Sequence, residues 1–410
     1  MKNDFIKIID GGLCAVKGVE VGGLKKGKYG LGIIKSENST VAGLFTSNKV
    51  KAAPVLYTKN IIKNGEISGI VANSGNANCF TGEEGVLDCQ KMVEIASKQL
   101  NIDKNQIAIA STGVIGRKMP MDVISNLIIE TSKIIKNSLQ ASVDVAKAIM
   151  TTDTVYKEFS IEVKLLNGEK VRIGAVAKGS GMIAPNMATM LCFITTDVIA
   201  SKEDLKESLK IATDLSFNMV VVDGDESTND TILLMANGKS NSQLKDENSV
   251  IDSNFQEGLN FVCQNLAKMM AKDGEGATKF LEVEVINAKT LDDAKSVAIS
   301  VVKSPLVKTA VFGDDPNWGR IVSAAGYSGA DFNPDIITIA FESENKISYL
   351  VKDGKILGFD GTSNLKLAKE IMDQKNIKII IDLNIGEFNA ISYGCDFSYD
   401  YVKINAKYTT

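Results

Sequence analysis

Residues 178–195 read Lys-Gly-Ser-Gly-Met-Ile-Ala-Pro-Asn-Met-Ala-Thr-Met-Leu-Cys-Phe-Ile-Thr: a Gly-rich loop, a proline and small residues leading to Thr189 at the mouth of an apolar strand. Two folds compete for this stretch. Gly179-Ser180-Gly181-Met182-Ile183-Ala184 fits the relaxed dinucleotide fingerprint G-x-G-x-x-A, which requires a helix to open within it and point its N-terminus at a pyrophosphate. Pro185 and the strand-like run 190–197 follow instead, so the loop feeds a sheet and a doubly wound nucleotide fold is set aside. The same test disposes of Gly22–Lys28. It matches G-x-x-x-x-G-K, but Tyr29 replaces the magnesium-holding hydroxyl and the following YGLGIIKS is a strand rather than a helix.

Upstream of the loop, VRIGAVAKG (171–179) pairs with FSIEVKL (159–165) around Asn167-Gly168, a two-residue hairpin signal. Further back, GLGIIKS, TVAGLFTS, PVLYTK and GIVANSG read as short strands, and IAIASTG (107–113) as a strand entering a Gly turn. Apolar residues at three- and four-residue spacing predict helices over 85–100, 122–135 and 139–150. Downstream, helices are expected at 201–216, 254–272, 291–303 and 365–376. Strands are expected at 218–223, 279–287, 307–312, 335–342 and 377–385, with a strand-like, aromatic-rich C-terminal stretch from Gly386. No linker or internal repeat divides the chain, and at about 150 residues per domain 410 residues suit two or three domains. The expected class is α+β: two packed lobes with sheets layered against helices.

Composition then limits the chemistry. The chain has no histidine, which excludes Ser-His-Asp and Cys-His catalysis, His-ligated metal sites and imidazole switches. A net charge of −4 without a clustered basic face argues against nucleic acid. Cys14, Cys79, Cys89, Cys192, Cys263 and Cys395 form no C-x-x-C pair and read as reduced thiols. With no long apolar run, the expected location is the cytoplasm, without membrane attachment.

A threonine hydroxyl is a poor nucleophile unless a base sits beside it. Without histidine, one base is the threonine's own α-amine, ordinarily titrating near 7.7–8.0. That requires cleavage before Thr189, which an N-to-O acyl shift in a strained Gly-rich loop provides. The competing reading is a tight loop feeding a core strand.

KGSGMIAPNMATML resembles the self-cleavage segment of the ornithine acetyltransferases, the glutamate N-acetyltransferases of arginine biosynthesis. STGVIGR (111–117), MTTDT (150–154), DGDESTND (223–230), KDGEGATK (272–279), GDDPNWGR (313–320) and YVKINAKYTT (401–410) extend the resemblance over the chain. It implies an N-terminal-nucleophile-like enzyme cut between Ala188 and Thr189 into fragments 1–188 and 189–410, which remain together as a tetramer of two α and two β chains. Thr189 would be nucleophile and, through its amine, base. Thr112 and Gly113 would form the oxyanion hole, and Lys178, Glu275, Asn405, Thr410 and one of Thr151 and Thr152, with Thr152 preferred, would contact substrate. The reaction implied is acetyl transfer from N-acetylornithine to glutamate. No metal or organic cofactor is needed, and acetyl-CoA stays open as a further donor. Two other readings stand beside it: an N-terminal-nucleophile aminopeptidase or amidase, and a non-catalytic nucleotide-binding regulator. Arg117 and Arg320 fall inside the family-like motifs, where neighbouring acids such as Asp314 and Asp315 give them a structural alternative.

Overall fold

Alternation of apolar residues, broken by glycines, makes the first half of the chain a set of strands. The computed structural model describes residues 4–185, 190–246 and 248–407. The chain begins with β1 (Ile6–Ile8), β2 (Glu20–Lys26), β3 (Tyr29–Phe45), α1 (Ala53–Ile61), β4 (Glu66–Asn76), α2 (Gly82–Leu100) and β5 (Ile107–Val114). Next come α3 (Met121–Ser132), α4 (Leu139–Ala148) and the hairpin of β6 (Lys157–Lys164) and β7 (Lys170–Lys178). Beyond the loop lie β8 (Leu191–Thr196), α5 (Lys202–Asp214), β9 (Val220–Val221), β10 (Thr231–Ala236) and α6 (Ser253–Lys272). The last third runs β11 (Phe280–Ala288), α7 (Leu291–Lys303), α8 (Pro305–Phe312), α9 (Trp318–Gly326), β12 (Thr338–Ser343), β13 (Lys346–Lys352) and β14 (Lys355–Ile356). It closes with α10 (Ser363–Met372), β15 (Asn376–Asp382), β16 (Phe388–Cys395) and α11 (Tyr399–Lys407).

Among the described residues the strands form two mixed sheets. The first runs β1-β6-β7-β8-β10-β3-β4-β5, with β2 on β3; the second runs β14-β13-β12-β15-β11-β16-β9. Between them lie α5 and α6: Leu259, Val262 and Leu266 of α6 share a core with Ile161 and Val163 of the first sheet and Tyr393 of the second. The opposite face of the second sheet is covered by α7, α9 and α10 around Val283, Val285, Ile379 and Ile381. The expected α+β class with sheets layered on helices is what the structure has. The division at 188/189 does not follow a sheet boundary, because β7 and β8 are antiparallel neighbours with Lys178 opposite Leu191.

One feature of the first sheet positions the site. Four strands separate β7 from β5, which in a flat sheet would place them roughly 24 Å apart at about 4.8 Å per strand. The sheet instead curls around α4, so that Val176 of β7 and Ala108 and Ala110 of β5 join one core with Ala141, Val145 and Ile149. The alanines on β5 leave room for that closure.

Several expectations are corrected. PVLYTK and 307–312 are helical, lying in α1 and α8. Pro54 and Pro305 sit in the first turn, where a fixed φ and missing N–H favour a helix, and Ser304 caps the Val307 amide at 3.3 Å. Short apolar runs do not separate strand from helix by period alone. The two runs before residue 48 form one strand, β3, whose register with β4 shifts between Lys35 and Ser39. Only Val220–Val221 of the expected strand 218–223 pairs, and the C-terminal stretch divides into β16 and α11. GDDPNWGR opens the unexpected helix α9, with Asn317 capping the Arg320 amide at 3.2 Å. Arg320 holds the Leu306 carbonyl at 2.7 Å, while Asp314 pairs with Lys279.

Candidate active site

The apolar run of β5 ends at Thr112 and Gly113, both in a cavity of about 220 Å³. Gly113 has φ +133°, and a Cβ there would come within 2.5 Å of the Gly75 carbonyl carbon, so the tight passage beside β4 admits only glycine. Thr112 is 3% exposed and accepts a hydrogen bond from Lys178 Nζ at 3.3 Å.

Lys178 closes β7 with its side chain buried. Its Nζ donates to Thr151 Oγ1 at 2.8 Å and lies 3.9 Å from Asp153 Oδ2. Burial pushes its pKa down, an effect that Asp153 opposes. Asp153 also accepts from the Gly179 amide at 2.7 Å and from Lys157 Nζ at 2.8 Å, and Lys157 reaches Asp273 at 2.5 Å. Burial would raise the Asp153 pKa, yet Lys178 and Lys157 together hold it at about 2. The chain Asp273–Lys157–Asp153–Lys178 is thus a buried array of alternating charge ending at the cavity.

Three carboxylates grip the Gly-rich loop and its exit. Asp153 holds Gly179; Asp223 accepts from the Met182 and Ile183 amides at 2.6 and 2.8 Å; Asp230 accepts from the Met190 amide at 3.0 Å. Met182 is held at φ +56°, in the left-handed region where a non-glycine residue is strained. Asn229, beside Asp230, donates to the Ala77 and Ser111 carbonyls at 2.7 and 2.8 Å and so ties this segment to β5.

Further residues of the lining are acidic. The Glu275 amide donates to Ser180 O at 2.8 Å, and its carboxylate lies over Gly181, where a Cβ would collide with it. Helix α11 brings Asn405 Nδ2 to Glu275 Oε2 at 2.9 Å, and Tyr401, stacked on Phe397 at 5.0 Å, also faces the cavity. Asp225 lines the same cavity. The cavity therefore offers a lysine, several carboxylates, a threonine hydroxyl and a glycine backbone.

The structure brings Thr112, Gly113, Thr152, Lys178, Glu275 and Asn405 to this one cavity, together with Thr151. Thr151 engages Lys178, whereas the Thr152 hydroxyl pairs with Ser180 Oγ at 2.8 Å. Ala188, Thr189 and Thr410 lie outside the described residues. Sequence reasoning missed Asp153, Asp223, Asp230 and Tyr401. The three acids sit inside the quoted motifs MTTDT and DGDESTND, but acids in polar turns read as solvated until their burial is seen.

The sequence profile of the ArgJ family matches residues 15–410. A protein named glutamate N-acetyltransferase from Methanothermobacter thermautotrophicus is 54% identical over 405 residues, covering 99% of each chain. Its namesake from Methanocaldococcus jannaschii is 51% identical, over 99% of this chain and 100% of that one. The crystal structure of the arginine biosynthesis bifunctional protein argJ from Bacillus halodurans aligns at 39% identity and a TM-score of 0.48, over 52% of this chain and 97% of that one.

Proposed function

The chain belongs to the ArgJ family, and from that membership we propose that it moves an acetyl group from N2-acetylornithine to glutamate through an ester on Thr189. It is an acyltransferase of arginine biosynthesis with the activity of a glutamate N-acetyltransferase. The observation that carries the substrate assignment is that Lys178 and Glu275, a cation and a carboxylate, line one cavity. Acetylornithine bears a carboxylate and a distal ammonium, and these two side chains suit its two ends. Glutamate, the acceptor, has carboxylates for the Lys178 side.

In the proposed sequence the Thr189 hydroxyl attacks the acetyl carbonyl while its α-amine takes the hydroxyl proton. The oxyanion accepts hydrogen bonds from the Gly113 backbone N–H and the Thr112 hydroxyl, an arrangement typically worth several kcal/mol. The α-ammonium returns the proton to the departing nitrogen and ornithine leaves. The glutamate amine then attacks the ester, and the threonine oxygen leaves with the proton that glutamate gives up. Thr112 Oγ1 accepts from Lys178 Nζ, so its own hydrogen is left to donate to the oxyanion. Thr152, Asn405 and Thr410 complete the proposed substrate contacts.

The amine requires scission between Ala188 and Thr189, with fragments 1–188 and 189–410 remaining together as a pair of heterodimers. Strands β7 and β8 pair along their length, which supports retention of both fragments after the cut. No helix among the described residues is long and apolar enough to cross a membrane.

Incubation with acetylornithine, with and without glutamate, tests the reaction. Ornithine release is expected to depend on glutamate beyond a single turnover; sustained release without it would assign a hydrolase. Intact mass of the purified protein is expected to show two fragments, and one uncut chain after Thr189→Ala.

A further inference from the structure

Strand β3 is 17 residues long, and β4 covers only its first part. The register of the pair ends at Thr40 opposite Glu66, with one further bond from the Val41 amide to the Gly65 carbonyl at 2.9 Å. On the other side of Gly65, which is held at φ +83°, the chain lies off the sheet in the 3-10 turn Ile62–Asn64 and in α1. Beyond Val41, β3 keeps β10 on one edge, from Ala42 opposite Leu234 to Phe45 opposite Thr231, and among the described residues has no strand on the other. In an antiparallel pair, alternate residues turn their N–H and C=O groups to the same side. The Thr46 amide bonds toward β10, to the Asp230 carbonyl at 3.1 Å, while Val41 bonds away from it. Gly43 and Phe45 therefore present their N–H and C=O groups to the open edge, where no loop backbone or side chain among the described residues takes them up.

A groove of about 320 Å³ lies along this edge, lined by residues 41–46, by Lys59, Ile62 and Lys63, and by Lys202 and Lys206 of α5. Four lysines and no carboxylate line it, in a chain whose net charge is −4. Two of the four ammonium groups rest on neutral acceptors: Lys202 Nζ on the Lys63 carbonyl at 2.8 Å, and Lys63 Nζ on Asn60 Oδ1 at 3.2 Å. Lysines on an edge strand commonly serve to keep it from pairing. Here the strand itself, Ala42-Gly-Leu-Phe-Thr46, carries no charge, and the lysines stand on the elements beside it. Open main-chain donors and acceptors flanked by uncompensated cations have one chemical complement: an extended backbone with acidic side chains. A small anion would take the N–H groups and the charge but leave the Gly43 and Phe45 carbonyls without partners. We propose that the open edge of β3 is a docking site for an acidic, extended segment of another protein, which adds as a strand in line with β4.

The test uses the full-length protein and a short fluorescein-labelled peptide of alternating glutamate and valine, followed by fluorescence anisotropy. Saturable binding below about 1 mM is expected, weakening as salt is raised, with none for the lysine–valine counterpart. Lys59→Glu combined with Lys206→Glu should weaken it at least about tenfold, with circular dichroism unchanged. Wild type with the same side chains on an N-methylated backbone, which cannot donate to the β3 carbonyls, should also lose at least about tenfold, and this arm does not depend on any variant folding. Absence of binding at 1 mM, or equal binding by the charge-reversed protein, overturns the proposal. Equal binding by the N-methylated peptide overturns it as well, since charge alone would then account for the affinity. If purified wild type self-associates in sedimentation velocity and the charge-reversed protein does not, the edge belongs to a second copy of this chain, and the proposal of a foreign segment fails.

Discussion

Lys157 Nζ lies 2.8 Å from Asp153 Oδ1, and neither side chain is exposed to solvent. The lysine is held on its other side by Asp273, so one cation neutralises two carboxylates, and the nearer carboxylate also faces Lys178 in the cavity. The cationic wall of the site is therefore the visible end of an array that is otherwise internal.

Removing the middle of that array should be severe. Lys157→Met keeps the length of the side chain but leaves Asp153 and Asp273 buried without their shared cation. A loss of about 3–5 kcal/mol in unfolding free energy is expected by urea titration.

Acid should act on the same group. Asp153 titrates at about 2 in the folded chain against an ordinary 3.8, so the unfolded state takes up its proton first as pH falls. Its contribution, about 2 kcal/mol, is present in full above pH 4 and is lost as pH drops through 2. Unfolding free energies measured across that interval should fall with a slope that steepens below pH 4; a flat response would contradict the ion pairing.

Lys178→Met is expected to lower kcat/KM for acetylornithine about a hundredfold, mostly through KM, as a buried cation facing a substrate carboxylate is lost. Arginine should not rescue it, because the wider guanidinium has no room where Lys178 is 2% exposed. Steady-state kinetics of the three proteins checks both statements.

Gly113→Ala places a methyl group 2.5 Å from the Gly75 backbone at a φ that L-residues rarely adopt. The passage between β4 and β5 must open, which displaces the Gly113 N–H from the reacting oxygen. A fall in kcat of roughly 10²–10³-fold is expected, with the far-UV circular dichroism unchanged.

Legibility in the sequence varied with the range of the interactions involved. The Asn167-Gly168 hairpin and most helices from α2 to α7 follow from periodicity and turn chemistry spanning a few residues, and the structure has them where expected. The helices α1 and α8 were misread because a short apolar run satisfies either period, and the prolines that decide the matter look like breakers until placed in a first turn. At the site, Lys178, Glu275 and Asn405 were named through motif resemblance, and nothing in their local patterns said that they share a cavity.

By itself, then, the sequence determined the local choices: a strand rather than a helix after Pro185, a glycine where β5 passes β4, and the absence of any imidazole to serve as base. Only the tertiary structure decided that Thr112 and Lys178, separated by four strands, would stand 3.3 Å apart. It also decided that Asp153 and Asp230, unremarked acids in polar turns, would be buried and bound to the loop they flank. The reason is physical: a turn or cap is set by neighbours in the chain, whereas the curl of a sheet and the desolvation of a charge depend on packing summed over residues far apart in sequence.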